Sequence, residues 1–388
     1  MLKRIVIENY RSIANLTLQL GPKQLLLGRN GAGKTSVFDV LSAVRDLVVE
    51  GEKCVSVFPL STVPRWLRTA KPEVFKQRIE LELEGEHGTV RYGLTLEQNE
   101  RSATSRIFAE ELSTDEGKAV FSFKEGKVQL YGDQGTSFIK PGPTYNQDWG
   151  RSALNSVLEG KDNVRLTWFR RRMRDVTCVR IDAPRMSARS EEQSAQPARD
   201  LSNFASWYRQ ALVANASVGS SYLAAIREVI GGMESLDLDP LGQGIMVLRA
   251  KFDRPSAAIE DRIAKSARTF ALDFNELSDG QRALIGLYAL LYFTVNEHAT
   301  LCIDEPDNFV ALAEIQPWLL EVHDRIDDLG AQVLIASHHP ELLNILAPEH
   351  GILLERDDSG PTRARPYQAN LDSKLSPAEW VARGWERE

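Results

Sequence analysis

Residues 28–35 read GRNGAGKT, which matches the pattern G-x-x-x-x-G-K-[ST]. Glycines let a backbone curl until successive N–H groups point at phosphate oxygens, and the positive N-terminus of a following helix faces the same charge. The flanking sequence fits such a loop, because a short strand-like run, QLLL at 24–27, precedes it and apolar residues at helical spacing follow it from Val37 to Val48. The stretch therefore predicts a strand, a phosphate-binding loop and a helix, in that order, rather than an ordinary glycine-rich turn.

Two side chains at the end of this loop carry the chemistry of nucleotide binding. Lys34 is expected to bridge the β- and γ-phosphates of ATP, and Thr35 is expected to ligate Mg²⁺ through its hydroxyl. The residues of the loop and helix start that are predicted to bind ATP are Asn30, Gly31, Ala32, Gly33, Lys34, Thr35 and Ser36.

An acidic pair ends a second apolar run, ATLCI at 299–303. Asp304 is expected to hold Mg²⁺ through water, and Glu305 is expected to polarise the attacking water as a general base. An acid-rich helix N-terminus would favour the same residue types. Because a phosphate-binding loop is present in the same chain, we favour the metal and base roles.

The segment LSDGQ at 277–281 predicts the start of a helix. Ser278 and Gln281 have the spacing of a capping box, and the apolar stretch ALIGLYALL follows them. A capped helix N-terminus that carries a glycine, here Gly280, is also an anion site, and the phosphate that it binds need not belong to its own subunit. The helix cap and the phosphate contact are compatible interpretations.

Two histidines follow a third apolar run, VLI at 333–335. A histidine just past the carboxyl end of a central strand lies where open α/β sheets bind their ligands. We assign this ligand-binding position to His338 rather than to His339. The alternative is a turn histidine that caps backbone groups.

The distribution of apolar residues predicts the fold class. Period-two alternation from about Ile79 to Leu130, with turns GEHG and KEGK, predicts an antiparallel meander. Helical spacing dominates the middle of the chain, and buried strands return in its last third. We therefore predict an α/β fold with a mixed sheet, in which an inserted, mostly helical lobe at 148–275 separates the two halves of a nucleotide-binding lobe at 1–147 and 276–388.

Five landmarks in this order resemble those of RecF-, OLD- and SMC-like ATPases of the ABC type: IENYRSI, GRNGAGKT, LSDGQRALIGLYALL, LCIDEPDN and ASHHPELL. Within that superfamily, the chain is most similar to the bacterial AAA-named predicted ATPases. The resemblance covers both ends of the chain, whereas the segment from about 100 to 265 carries no motif of the family. It implies a P-loop NTPase fold of the ABC/SMC type, ATP and Mg²⁺ as cofactors, and ATP hydrolysis as the activity.

The resemblance also implies a dimer. In that superfamily the LSDGQ-type signature contacts the γ-phosphate held by the loop of the partner subunit. Ser278, Gly280 and Gln281 would therefore complete the ATP site of a second copy, and ATP would join two chains head to tail.

Three further roles follow from the resemblance. His338 corresponds to the switch histidine that senses the γ-phosphate. Gln77 would match the glutamine that reports on Mg²⁺, although a solvated polar residue explains it equally well. Arg11 matches an N-terminal element of the family and is expected near the nucleotide.

Composition excludes several classes of protein. Hydrophobic residues make up 43% of the 388, so a substantial core can form, and the formal net charge of −7 gives no global attraction to nucleic acid or anionic membrane. The three cysteines form no C-x-x-C pair, which fits a reducing compartment. No apolar run approaches the roughly 20 residues needed to span a bilayer. We expect a cytoplasmic protein without membrane contact.

The only dense basic run is RLTWFRRRMR at 165–174. On DNA, its arginines would neutralise phosphates while Trp168 and Phe169 stack on bases. We favour the alternative, a helix face whose arginines pair with nearby acids. The arginines concerned are Arg165, Arg170, Arg171, Arg172 and Arg174.

Two departures from related families narrow the function. The stretch after Glu305 leaves no room for the TOPRIM nuclease domain of OLD proteins, so we expect any nuclease to be a separate protein. Thr35 and Ser278 are further apart than the corresponding motifs of transporter ATPase subunits, which disfavours a transporter.

The combined prediction is an ATPase that dimerises around ATP and acts as a switch or motor for a separate effector protein. The family implies a setting in bacterial phage defence or DNA maintenance. The alternative is a slowly hydrolysing, ATP-loaded scaffold or sensor that holds a toxin or nuclease effector inactive. The presence of Glu305 favours turnover.

Overall fold

The computed structural model of the chain describes residues 1–69, 73–133, 138–253, 269–356, 360–368 and 375–383. The chain divides into two units. Unit 1 comprises Met1–Cys178, Glu297–Cys302 and Gly330–Glu388, and unit 2 comprises Val179–Asn296 and Ile303–Leu329. Each unit is thus assembled from segments that are distant in sequence.

Unit 1 contains an antiparallel sheet in the order β2-β1-β4-β5-β6-β7-β8-β9. Its strands are β1 (Leu2–Tyr10), β2 (Ile13–Gln19), β4 (Val74–Gly85), β5 (Gly88–Asn99), β6 (Thr104–Thr114), β7 (Ala119–Lys124), β8 (Lys127–Asp133) and β9 (Phe138–Asn146). Alternate residues of β4 are buried, and Ile79 and Leu81 lie opposite Ile7 and Ile5 of β1. The predicted antiparallel meander is therefore confirmed, with period-two burial as its cause.

The second sheet has the order β10-β15-β16-β3-β17-β18. Its strands are β3 (Lys23–Leu27), β10 (Val176–Val179), β15 (Thr300–Asp304), β16 (Gln332–Ala336), β17 (Gly351–Glu355) and β18 (Arg363–Pro366). β3 pairs in parallel with β16 and β17, and all five residues of β3, β15 and β16 are buried. The continuous apolar runs at 301–303 and 333–335 are buried strands, as expected for parallel strands covered on both faces.

Helices of unit 1 contact both sheets. They are α1 (Lys34–Arg45), α2 (Cys54–Val57), α3 (Arg65–Thr69), α4 (Ala153–Ser156), α5 (Val164–Arg174), α10 (Pro340–His350) and α11 (Pro377–Ala382). Of these, α2 and α5 contact the antiparallel sheet, and α10 contacts the second sheet. The apolar face of α1 is fully buried at Val37, Leu41 and Val44 and joins the core that the antiparallel sheet covers. A π-helical turn extends α1 until Gly51 ends it in the left-handed region, at φ 68°.

A single buried amide fixes three elements of unit 1 to one another. Gln332 Nε2 donates to the carbonyl oxygens of Leu2 and Gly21, each at 2.8 Å, and its Oε1 accepts from Leu2 N and Thr300 Oγ1, each at 3.1 Å. Both donors and both acceptor positions of the amide are used, so its burial leaves no polar group unsatisfied.

Unit 2 combines four helices with a small antiparallel sheet. The helices are α6 (Phe204–Ala214), α7 (Ala216–Val229), α8 (Asp279–Thr294) and α9 (Leu312–Leu329), and the strands are β11 (Arg189–Ser190), β12 (Met233–Gly242), β13 (Ile245–Asp253) and β14 (Thr269–Asp273). β12 pairs with one edge of β13, and β11 and β14 share the other edge. Stacked rings of Phe204, Tyr208 and Phe274 contribute to its core.

The segment 148–275 is mixed rather than mostly helical, which corrects the sequence prediction. Its hairpin of β12 and β13 turns at Gly242, Gln243 and Gly244, all with positive φ. The predicted ranges also differ from the two units, since α4 and α5 belong to unit 1, where Leu154 and Phe169 are fully buried.

No helix within the described ranges has the length and apolarity that a membrane span requires.

The carboxyl group of one residue of the antiparallel sheet is buried, and its hydrogen-bond partners among the described residues are all neutral. Glu110 of β6 accepts hydrogen bonds from Tyr92 Oη at 2.9 Å, Ser152 Oγ at 2.6 Å and Ala153 N at 3.2 Å. Burial raises the pKa of Glu110 from 4.5 to about 7, against the opposing effect of these hydrogen bonds. Glu110 is therefore neutral in the folded chain at mildly acidic pH.

This burial makes stability depend on pH. Because the folded state holds the proton more tightly, the stabilisation is fully present below pH 4.5 and is lost as the pH rises towards 7. We expect the free energy of unfolding to fall between pH 5 and 8 by about 2–3 kcal/mol more in wild type than in Glu110→Gln, which stays neutral. Denaturant unfolding at both pH values measures this. The control is Glu111→Gln, at the exposed position of β6 next to Glu110. If the free energy of unfolding changes equally with pH in wild type and in Glu110→Gln, the prediction is contradicted.

Candidate functional site

The loop at 28–33 leaves β3 and enters α1 within unit 1. Its first glycine is required by close approach: Gly28 has φ 143°, and a Cβ at this position would lie 2.1 Å from the carbonyl oxygen of Leu354 in β17. At Gly33, with φ 102°, a Cβ would meet Thr362 Oγ1 at 3.1 Å and Ser12 Oγ at 3.2 Å. Glycine therefore lets the loop curl tightly against its neighbours.

Lys34 turns back into this curl. Its side chain is buried, and Nζ donates to the carbonyl oxygen of Gly28 at 2.6 Å. Arg29, Asn30 and Gly31 are exposed at the tip of the loop. The ammonium group thus faces carbonyl oxygens of the loop at the start of α1, and its charge and N–H donors fit the phosphate groups of a nucleotide.

The remaining loop residues differ in exposure. Ala32 and Ser36 are buried, whereas Thr35, the predicted magnesium ligand, is half-buried. Ala32 N donates to Arg29 O at 3.1 Å and Val37 N donates to Gly33 O at 3.3 Å, which closes the loop and starts the helix.

Arg11 lies against the helix that follows the loop. It occupies the turn between β1 and β2 in the left-handed region, at φ 51°, and its backbone N donates to Thr62 O at 2.6 Å. Its guanidinium group pairs with Asp39 of α1. The structure therefore brings Arg11 to α1, while its contact with a nucleotide stays a prediction.

Gln77 is not placed to report on a metal ion. Its side chain is fully buried, and Nε2 donates to the carbonyl oxygens of Asn9 at 2.7 Å and Thr62 at 3.1 Å. Its Oε1 accepts from Gln98 Nε2 at 2.5 Å. Gln77 is one of the alternate residues of β4 that face inward, so its amide is buried among protein partners. The predicted magnesium role is therefore corrected to a structural one.

Ser278 caps α8 as predicted. Its Oγ accepts from Gln281 N at 3.2 Å, and Gln281 Oε1 accepts from Ser278 N at 3.1 Å, which completes the capping box. Ser278 is exposed, so its hydroxyl is accessible from outside unit 2. A Cβ on Gly280 would lie 2.9 Å from the carbonyl oxygen of Phe309, so this position favours glycine.

The acidic pair ends β15. Asp304 is buried, and Glu305 has a left-handed backbone, φ 52°, which costs about 1–2 kcal/mol for a residue with a Cβ. Arg180 Nη2 donates to Glu305 Oε2 at 2.6 Å, and Asn308 Nδ2 donates to the same oxygen at 3.1 Å. Arg180 lies 125 positions away in sequence, and no motif identified it.

The two histidines have different surroundings. His339 caps α10, with Nδ1 accepting from Glu341 N at 3.3 Å, whereas His338 is exposed. β16 lies parallel to β3, and Ser337 N donates to Leu26 O at 3.3 Å. Within unit 1, His338 and the phosphate-binding loop therefore leave adjacent strands at the same edge of the sheet.

The basic run forms α5, and its aromatic side chains are buried. Trp168 is 5% exposed and Phe169 is 0% exposed. The Arg172 guanidinium lies 5.3 Å from the centre of the Trp168 ring, and Arg170 donates to the carbonyl oxygen of Val157. Stacking of Trp168 and Phe169 on bases, as considered from the sequence, is therefore wrong.

Other arginines of α5 pair with acids. Arg165 contacts the fully buried carboxylate of Asp133, and Arg171 Nη2 lies 2.8 Å from Glu159 Oε2. Arg174 is exposed. This pairing matches the favoured interpretation of the basic run, a helix face neutralised by neighbouring carboxylates.

Two family models match the chain. One, described as "AAA domain", matches residues 4–134, which contain GRNGAGKT. The other, described as "AAA domain, putative AbiEii toxin, Type IV TA system", matches residues 186–344, which contain LSDGQ, the acidic pair and both histidines. A search of curated proteins finds no match.

Solved structures of SMC heads resemble this fold. The SMC head domain from Thermotoga maritima is 14% identical, with a TM-score of 0.44 over 95% of this chain and 99% of that chain. An Smc head bound to the C-winged helix domain of ScpA is 9% identical, with a TM-score of 0.53 over 94% and 97% of the two chains.

A third structure is an Smc head with an extended coiled coil, bound to the C-terminal domain of ScpA and derived from Pyrococcus furiosus. It is 9% identical, with a TM-score of 0.52 over 100% of this chain and 99% of that chain. The likeness to this head and to the winged-helix complex shows that the chain has the fold of SMC head domains, and the two AAA domain matches support a P-loop ATPase of the ABC/SMC type.

Proposed function

We propose that the chain binds Mg-ATP at residues 30–36 and hydrolyses it. The observation that supports this best is the buried ammonium group of Lys34, which donates to Gly28 O at 2.6 Å inside a curl of backbone. Such an arrangement recognises the β- and γ-phosphates through charge-assisted hydrogen bonds. Thr35 and Asp304 would hold Mg²⁺, Thr35 directly and Asp304 through water.

In this proposal Glu305 takes the proton of the attacking water, and His338 senses the γ-phosphate. Both histidines lie at the edge of the sheet that the loop shares, and the assignment to His338 is supported because its side chain is exposed, whereas a ring nitrogen of His339 is used by the cap of α10.

The ATP site is completed by a second copy of the chain. Ser278 and Gly280 at the exposed N-terminus of α8, with Gln281, would contact the γ-phosphate bound by the partner's loop. A two-fold axis then gives two identical composite sites, so ATP binding favours the dimer and hydrolysis releases it.

A separate protein would use this switch. Two SMC heads of the same fold were solved with domains of ScpA, which supports a protein partner for this chain as well. We propose an effector in phage defence or DNA maintenance. The family description that mentions an AbiEii toxin favours one alternative, a slowly hydrolysing, ATP-loaded sensor that holds a toxin or nuclease inactive.

The composite site is tested by the mass of the chain in solution. In Glu305→Gln, Mg-ATP is expected to double the mass measured by light scattering, and the added change Ser278→Arg is expected to prevent it, because the larger side chain obstructs the signature. The matched control is Ser376→Arg, which removes the capping box of α11 instead. A mass that ATP does not change, or dimers that survive Ser278→Arg, would remove the head-to-tail mechanism.

A further inference from the structure

The hydrogen bonds that the structure gives to the carboxylate of Glu305 all reach one of its two oxygens. Arg180 Nη2 at 2.6 Å and Asn308 Nδ2 at 3.1 Å both donate to Oε2. Within the part of the chain that the structure describes, no hydrogen bond reaches Oε1. All three residues belong to unit 2, so the arrangement is a property of that unit alone.

Main-chain contacts fix both sides of this ion pair. Arg180 directly follows β10 and Glu305 directly follows β15, which is the neighbouring strand in the sheet. Arg180 N donates to Arg199 O at 2.7 Å, and Asn308 N donates to Glu305 O at 3.1 Å. The left-handed backbone at Glu305 also sets the direction in which its side chain leaves the strand.

The side chains of Arg180 and Glu305 differ in solvent exposure, and the difference suits a catalytic role for Glu305. The Glu305 side chain is 16% exposed, whereas that of Arg180 is 51% exposed. An arginine–carboxylate contact at 2.6 Å is short and charge-assisted, and a carboxylate with little solvent around it is oriented by such contacts. Two donors on Oε2 restrict rotation of the carboxylate and leave Oε1 available as a proton acceptor.

We propose that Arg180 is a positioning residue for ATP hydrolysis, which holds Oε2 of Glu305 so that Oε1 faces the attacking water. The proposal rests on the proposed role of Glu305 as general base. The water proton passes to Oε1, the water oxygen bonds to the γ-phosphorus, and the bond from that phosphorus to the bridging oxygen of ADP breaks. Arg180 acts through Glu305 and touches neither the nucleotide nor the reacting atoms.

Steady-state hydrolysis separates this role from a structural one. Arg180→Ala is expected to lower kcat by about 10- to 100-fold, by analogy with the loss of a side chain that orients a metal ligand. The KM for ATP should stay within roughly twofold, because no binding contact is removed. Arg180→Lys should recover part of kcat, and free guanidinium ion should recover part of the Arg180→Ala rate, since the site of Arg180 is half exposed. Guanidinium should not rescue Glu305→Gln.

Two comparisons complete the test. Arg185→Ala removes another exposed arginine of unit 2, which pairs with Asp200, and should leave kcat unchanged. Arg180→Ala added to Glu305→Gln should cause no further loss, because both changes act on one carboxylate. Thermal unfolding of each variant establishes that it is folded.

The outcomes distinguish this proposal from the proposed function. If Glu305→Gln is inactive and Arg180→Ala keeps or exceeds the wild-type kcat, the positioning role is overturned while the role of Glu305 stands. A change in KM alone also overturns it, since Arg180 would then bind the nucleotide. If Glu305→Gln turns over ATP at the wild-type rate, the proposed base fails and the positioning role fails with it.

Discussion

Lys34→Ala is expected to abolish measurable ATP binding at micromolar nucleotide while leaving the chain folded. In the proposed site, the ammonium group contacts two phosphates, and each hydrogen bond to a charged group contributes about 1.5–3 kcal/mol. Loss of both corresponds to a dissociation constant that is about 100- to 10,000-fold higher. Alanine is well tolerated at the start of α1, so the fold should persist.

Titration calorimetry with Mg-ATP measures the effect, and thermal unfolding without nucleotide checks the fold. The matched control is Lys118→Ala, which removes the same charge from an exposed position beside Glu116 in unit 1. ATP binding by Lys34→Ala within threefold of wild type would contradict the role of the loop. A fall in binding for Lys118→Ala as well would point to a loss of general charge rather than of a specific phosphate contact.

The sequence predicts those elements of the fold whose burial follows a simple period. Ile79 and Leu81 of β4 alternate with exposed or half-buried residues, so one face of the meander is recognisable without coordinates. β3 and β16 have no exposed face, and their short apolar runs mark them as covered strands. The loop at 28–35 adds a spacing of glycine, lysine and threonine that few other structures require.

The hairpin of β12 and β13 shows why part of the middle segment was assigned incorrectly. In β12 only Met233 and Leu236 are buried, so the strand has no regular alternation of buried and exposed residues to recognise. Gly242 and Gly244 have positive φ in the turn of this hairpin, and these two glycines are the sequence signal for the turn. Helical spacing in α6 and α7 is stronger, and it dominated the prediction for the whole segment.

The spacing of motifs does not predict which side chains pair when they are far apart in sequence. Gln77 looks from the sequence like a polar residue at the start of a meander, yet the register of β4 directs it inward to Asn9 and Thr62. Arg180 and Glu305 come together because β10 and β15 are neighbours in the sheet, an order that no local pattern encodes. In contrast, Asn308 lies three residues after Glu305 and its turn contact is a local one.

Glu305→Gln is expected to lower kcat by about 100- to 10,000-fold, the usual contribution of a positioned general base, with ATP affinity unchanged. Glutamine is a suitable replacement because its carbonyl oxygen can still accept from Arg180 and Asn308, so the variant removes proton acceptance rather than the local structure. Phosphate release under saturating ATP measures kcat, and calorimetry measures affinity. Glu228→Gln, an equal change at an exposed position of α7, is the control.

The same variant separates the two proposed roles of the ATPase. A switch or motor must complete its cycle, so Glu305→Gln should hold the chain as an ATP-bound dimer and abolish the downstream function in cells. A sensor that holds an effector inactive needs only the loaded state, so the same change should lock that state and preserve restraint of the effector. Wild-type kcat in Glu305→Gln would contradict the base role in both cases. If kcat falls but the ATP-bound chain stays monomeric, hydrolysis is confirmed at this residue and the coupling of ATP to dimerisation is rejected.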